Sequence, residues 1–197
     1  MPEKVIDGGL RPNRTVAIGI DQSLTGFAVS VIDVLEPTWY KTWVYKSPNK
    51  GVQRLADIFE WFQDKLDFLE TNGNSVYDIA MEGTVLQSQA ASVLGELAGI
   101  VKLSLYDYFG TLADTILRTP LQVPPMTLKK FVAGKGNAKK QEMLMQIYKR
   151  WGVEFNDDNA ADAYGLARIA GECVTDDVEK QVIKQLKDPK FRDQLAQ

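Results

Sequence analysis

Histidine is absent from the 197 residues, and that absence removes Ser-His-Asp hydrolysis, imidazole acid–base catalysis and zinc sites built on His. Cysteine is nearly absent. Cys173 stands alone, so the chain closes no internal disulfide, and a reducing cytoplasm fits. Long apolar runs are missing as well: none approaches the roughly 18 to 20 residues that cross a bilayer. Met1 to Arg14 carries acids and glycines where a secretory leader would be apolar. The expectation is an unsecreted protein without a membrane partner. A hydrolytic centre in such a chain has to be built from carboxylates, and carboxylate oxygens favour hard cations such as magnesium and manganese.

What is present is enough for one substantial core, with 45% hydrophobic and 25% charged residues. The net charge of -3 argues against a polyanion as partner, but its distribution argues the other way. From Arg118 to Arg150 there are eight basic residues against Glu142 alone, a local +7 that leaves -10 for the rest. A concentrated basic stretch on an acidic chain is either a solvated helix face or the footprint of a nucleic-acid backbone.

Along the chain, Met1 to Arg14 has no period and reads as a flexible lead-in. Thr15 to Ile20 and Phe27 to Ile32 are apolar runs joined by turn residues, and Thr38 to Tyr45 is rich in β-formers, so three strands of a meander are expected. Leu55, Ile58, Phe59, Phe62, Leu66 and Leu69 recur at helical spacing. Val76 to Met81 is again strand-like, and Ala90 to Phe109 helix-like. Thr115 to Leu117 and Leu121 to Val123 are weak strand candidates, while Pro124 and Pro125 read as a break. Helices are expected over Lys139 to Trp151 and Asn159 to Cys173, then a mixed-charge tail of helical period from Asp176. This order, strands first and then alternating strand and helix, is that of an α/β domain with a mixed sheet. The main domain is expected over 15–173, with 174–197 as a charged helical tail.

Three acidic groups stand at element ends. Asp21 follows the apolar run Val16 to Ile20, Glu82 follows Ile79 to Met81, and Asp157, Asp158, Asn159 and Asp162 open a helix. An acid where a strand leaves the sheet is displayed on a rigid support. Asp157 and its neighbours also serve as ordinary helix caps, which does not account for Asp162, a turn inside among alanines. Oxygen ligands from separate elements are what two divalent ions need to activate a water and stabilise the leaving 3′ oxygen of a phosphodiester. Elsewhere, Ala91, Gly95 and Gly99 lie four apart on one helix stripe, which fits packing on the sheet or a seam between two copies. Trp39, Trp43, Trp61 and Trp151 read as core rather than as platforms for bases.

Taken in order, these segments resemble the RuvC family of Holliday junction resolvases, including its phage-type members. Gly19 to Gly26 (GIDQSLTG) is similar to the family's opening motif, Met81-Glu82 to its second acidic position, and Ala160 to Ala163 (AADA) to its closing segment. Lys129 to Lys140 (KKFVAGKGNAKK) is similar to a stretch that in the family helps hold junction DNA. The likeness runs from Thr15 to Ala170. It implies a ribonuclease-H-like fold with a mixed five-stranded sheet flanked by helices. It implies also a magnesium-dependent endonuclease, with manganese as substitute, that resolves four-way DNA junctions in recombination and repair. Asp21, Glu82, Asp162, Asp158 and Asn159 are then the catalytic and metal-binding set. Lys129, Lys130, Lys135, Lys139 and Lys140 would meet DNA, and Ala91, Gly95 and Gly99 would lie at the seam of a homodimer in a bacterial or phage-infected cytoplasm. Two positions depart from the family: Asn159 stands where it has Asp or His, and Val85 where it often has an aromatic residue that meets unstacked bases. Other readings are a catalytically weak DNA-binding scaffold on the same fold, or a nuclease for flaps, forks or RNA–DNA hybrids. An actin-like kinase shares the look of the first motif but needs a second glycine-rich adenosine motif, which this chain lacks.

Overall fold

In the computed structural model, residues 3–83, 91–110 and 120–191 are described. The meander is present as β2 (Thr15–Asp21), β3 (Phe27–Asp33) and β4 (Tyr40–Tyr45), and an earlier strand, β1 (Glu3–Asp7), pairs antiparallel with β4. After α1 (Gly51–Thr71), β5 (Ser75–Glu82) lies parallel to β2, and β6 (Leu121–Val123) parallel to β5. The sheet order is β1-β4-β3-β2-β5-β6, six strands where five are expected.

The extra strand corrects the reading of the N-terminal segment as a flexible lead-in. Glu3 to Asp7 is largely exposed and has no clear apolar alternation, so its strand character is invisible locally. It is held by partners distant in sequence. The β4 edge supplies the ladder, Glu3 accepts from Trp61 Nε1 at 2.6 Å and pairs with Lys65 at 2.7 Å, and Lys41 pairs with Asp7 at 2.8 Å.

Alternation along the strands divides the core into two layers. Val16, Ile18 and Ile20 of β2 and Ile79 and Met81 of β5 meet α1 and α2 (Ala91–Gly110), through Leu55, Phe62, Leu97 and Val101 among others. Ala17 and Ala80 face the other way, toward α3 (Pro125–Ala133), α4 (Lys140–Trp151), α5 (Asp158–Ala170) and α6 (Asp177–Lys187). On that side α5 lies directly on β2. A Cβ at Gly19 would come within 2.0 Å of the Ala163 carbonyl oxygen, so only glycine allows the helix backbone to sit so low. The buried alanines 160, 161, 163 and 167 make the matching face of α5.

Two helical expectations change. Pro124 and Pro125 begin α3 instead of breaking the chain, because a proline in the first turn loses no intrahelical donor and already has helical φ. The tail from Asp176 is helical over α6, and there Val182 and Leu186 are fully buried in the main core. Helix α5 ends at Ala170, three residues short of Cys173, which is buried just beyond it. Trp43, Trp61 and Trp151 are core residues, while Trp39 is partly exposed under the Arg11 guanidinium. The strand expected over Thr115 to Leu117, together with Val85 and Arg118, lies outside the described residues. Among the described residues no helix is long and apolar enough to cross a membrane.

Candidate functional site

Alternation carries both strand-end acids to one side. Ala17, Gly19 and Asp21 share the α5 face of β2, and Ala80 and Glu82 share the same face of β5. Since Ile20 pairs with Met81 in the parallel ladder, Asp21 and Glu82 stand side by side one step further on. Asp21 is only 4% exposed. Its carboxyl is held well above the usual carboxylate range, first by burial, then by the charge of Glu82 and of Asp162, with a hydrogen bond to Glu82. Glu82 is raised by burial, against the opposing effects of the Asp21 hydrogen bond, Lys129 and Lys140. Two adjacent buried carboxyls cannot both ionise cheaply, which is why each disfavours the charged form of the other. Gln22, absent from the expected site, donates from Nε2 to the Glu82 carbonyl at 2.6 Å and so ties the two strand ends together.

Above this pair lies a cavity of about 190 Å³. Glu82, Asp158 and Asp162 form its acidic wall, Lys129 and Lys140 its basic one, and Pro125, Met143, Leu144 and Ala161 its apolar part. Burial, then the charges of Glu82 and Asp158, push the Asp162 carboxyl up to about 7. Asp158 goes the other way, held low first by its hydrogen bond from Lys140, with which it forms an ion pair. Asp157 is the N-cap of α5 and accepts from the Ala160 amide at 3.2 Å. Lys4 of β1 reaches the same loop, to Asn156 at 2.5 Å and Asp157 at 3.8 Å. Asn159 lies elsewhere: a Cβ on Gly26 would meet its Nδ2 at 2.2 Å, so the amide rests on the turn between β2 and β3.

The lysines divide. Lys129 and Lys140 line the cavity, Lys130 and Lys139 are exposed beyond it, and Lys135 pairs with Glu142 at 2.8 Å. Arg150, counted in the basic stretch, belongs to the interior instead. It donates to the Phe131 and Val132 carbonyls at 2.9 and 2.6 Å and pairs with Asp176 and, at 2.6 Å, with Glu179. Gly95 and Gly99 are exposed on α2, with no atom of the described residues within 4 Å of an added Cβ, while Ala91 is partly buried. Gly95 and Gly99 do not face the sheet, since the buried face of α2 runs through Leu97, Ala98, Val101 and Leu105.

Neither a protein-family model nor a curated protein matches this chain. Solved structures do. Thermus thermophilus RuvC superposes with a TM-score of 0.58 at 21% identity, over 78% of this chain and 91% of that one. T. thermophilus RuvC in complex with Holliday junction substrate superposes with a TM-score of 0.57 at 20% identity, with the same coverage. The fold is that of RuvC. At this level of identity the likeness is one of architecture, ribonuclease-H-like with a sixth strand added at the β4 edge.

On a RuvC fold the site acids can be tested against a divalent metal. The donors have the right chemistry, being hard oxygens of Glu82, Asp158 and Asp162 on the cavity, with Asp21 of β2 buried beside Glu82. Among the described residues, however, no three acidic side chains are arranged to hold an ion as they stand. Asp21 is instead hydrogen-bonded to Glu82, and Asp158 is paired with the Lys140 ammonium. The donor chemistry fits a divalent ion, which on Asp158 would take the place of that ammonium.

Proposed function

We propose that this protein is a metal-dependent endonuclease that cuts branched DNA, with the four-way junction as substrate and paired cuts by a two-fold dimer. The observation that carries the reading is the buried Asp21 and Glu82 pair beneath Asp162, bordered by Lys129 and Lys140 at one edge of the sheet. A RuvC seen with Holliday junction substrate on the same architecture supports the choice of DNA. Asp21, Glu82 and Asp162 would hold magnesium or manganese, which supplies charge at the attacking water and at the leaving 3′ oxygen. Lys129 and Lys140 place a backbone phosphate over these acids as point charges, without reading sequence. Their ammonium groups also offset the negative charge that the acids and the phosphate bring together. Asp21 and Glu82 stand on strand ends, so the sheet fixes their backbone positions, while Asp158 and Asp162 on α5 would have to converge on the ion.

The test is a cleavage panel of four-way junction, fork, flap, duplex and RNA–DNA hybrid, each with magnesium, manganese or chelator. Paired nicks in the junction, lost with chelator, are the expected result. Asp21→Asn and Glu82→Gln should lower cutting by at least about a hundredfold while junction binding persists, since they remove transition-state stabilisation rather than backbone contacts. A second reading, a DNA-binding scaffold without catalysis, is favoured by the absence of three converged acids among the described residues. Tight junction binding with no cutting in either metal would establish it. Cutting confined to flaps or hybrids would replace the substrate and keep the chemistry.

A further inference from the structure

The α5 start offers two oxygen donors, Asp158 and Asn159, to a divalent ion, and the surroundings of the two differ. Resting on the nuclease reading above, the geometry points to Asp158, not Asn159, as the fourth ligand, with the Lys140 ammonium holding its place until the ion enters. Asp158 and Asp162 are four residues apart and both form the cavity wall, one helical turn above the other. Asn159 is turned onto the Gly26 turn, where its Nδ2 fills the space of an absent Cβ. Its neighbour Asp157 is engaged as the helix cap. Of the three side chains that open α5, Asp158 is thus the one on the cavity, and it is occupied by a cation already.

The occupant is suited to leaving. Lys140 is the first residue of α4, its side chain 76% exposed, and an ammonium on a four-carbon stem moves without disturbing the helix. A divalent ion brings two charges to an acidic wall where the lysine brings one, and carboxylates bind such an ion directly. Ion entry and the Lys140–Asp158 pair therefore compete, and removing Lys140 strengthens ion binding mainly through Asp158, with a smaller part from its charge on Glu82 and Asp162. Lys129, on the same cavity, provides the contrast: its charge repels an incoming ion from any position and does not compete for one ligand.

The experiment is a calorimetric titration of the full chain with manganese, without DNA, across a double-mutant cycle. Lys140→Met is expected to tighten manganese binding by about tenfold and Asp158→Asn to weaken it by about tenfold. In the Asp158→Asn background the Lys140→Met effect should shrink to about threefold or less, the part owed to its charge on the other acids, whereas Lys129→Met should keep its effect there. Asn159→Ala should leave affinity within about twofold of wild type. Weakening by Asn159→Ala with no effect of Asp158→Asn overturns the inference and leaves the nuclease reading intact. So does an undiminished Lys140→Met effect in the Asp158→Asn background. Absence of manganese binding in wild type and in Lys140→Met alike overturns the inference and the metal-dependent reading together. Should Asp158→Asn fail to fold, the Lys140→Met titration decides alone, since unchanged affinity there rejects the exchange.

Discussion

A carboxyl group that titrates near neutrality is a destabilising group in a protein kept at pH 8 without its counter-ion. Asp162, pushed up to about 7 by burial and by the charges around it, is such a group. The sign follows from the two states: unfolded, it titrates near 3.8; folded, near 7, so the folded chain binds the extra proton between them. Stability is thus greatest below the unfolded value, falls as pH rises through the interval and is lowest above 7. The cost at pH 8 is on the order of 2–4 kcal/mol. Asp162→Asn should therefore raise the melting temperature at pH 8 in chelator by roughly 5 °C or more, with little gain at pH 4. Magnesium should stabilise wild type at pH 8 and do much less for the Asn variant. Thermal melts over pH with and without magnesium measure both, and an unchanged pH profile in the variant would move the perturbed acid elsewhere.

At the scale of elements, one basic stretch divides between interior and cavity edge, a division that charge counting cannot make. Arg150 fastens the end of α3 and the start of α6 to α4, opposite a Glu179 that is 0% exposed. Arg150→Ala leaves that carboxylate without its cation and should cost about 3–5 kcal/mol. The slope of log affinity for DNA against log salt should stay unchanged in the surviving folded protein. Replacing Lys129 or Lys140 should reduce that slope by roughly one unit each with little effect on melting. Equal behaviour of the arginine and lysine variants in the two assays would contradict this division. The same contrast marks how far the sequence could be read. Asp21 and Glu82 were legible because each closes an apolar strand, and period-two alternation already puts Asp21 with Gly19 on one face and Glu82 with Ala80 on one face. The strands and helices flanking them follow from apolar spacing for the same reason. Strand β1 was not legible, because its evidence lies in Trp61, Lys65 and Lys41, far along the chain. Nor was α3, where a proline pair reads equally as a stop and a start. The separation of Asp158 from Asn159 depends on a rotation of one residue around a helix, a difference that only the Gly26 contact makes visible.

For the whole molecule, α2 is the exposed face least suited to water. Leu103 and Tyr106 are 55% and 53% exposed, on the helix that also displays Gly95 and Gly99. These two side chains continue the Gly95 and Gly99 stripe, and a partner there would take apolar surface out of water between the exposed Glu96, Lys102 and Asp107. A second copy, related by a two-fold axis, would match the approximate two-fold symmetry of a four-way junction. Gly95→Arg adds a side chain where no atom of the described residues lies within 4 Å, so the protomer should fold normally while the dimer and paired cutting are lost. Sedimentation at micromolar concentration, with and without junction DNA, reads this directly. A wild-type monomer in both that still makes paired cuts would refute the dimer.

The lysines beside the cavity stand on a chain whose net charge is -3, and this has a kinetic consequence. At an ionic strength of 0.01 M the screening length is about 30 Å, comparable with the protein itself, so approaching DNA senses the overall negative charge. Near 0.15 M it is about 8 Å, and only the facing lysines are felt. Repulsion at long range and attraction at short range together predict an association rate with junction DNA that first rises and then falls as salt is added. A steered basic protein would instead slow down from the first addition. Stopped-flow mixing across that range separates the two, and on the rising limb salt acts as an accelerator of the encounter.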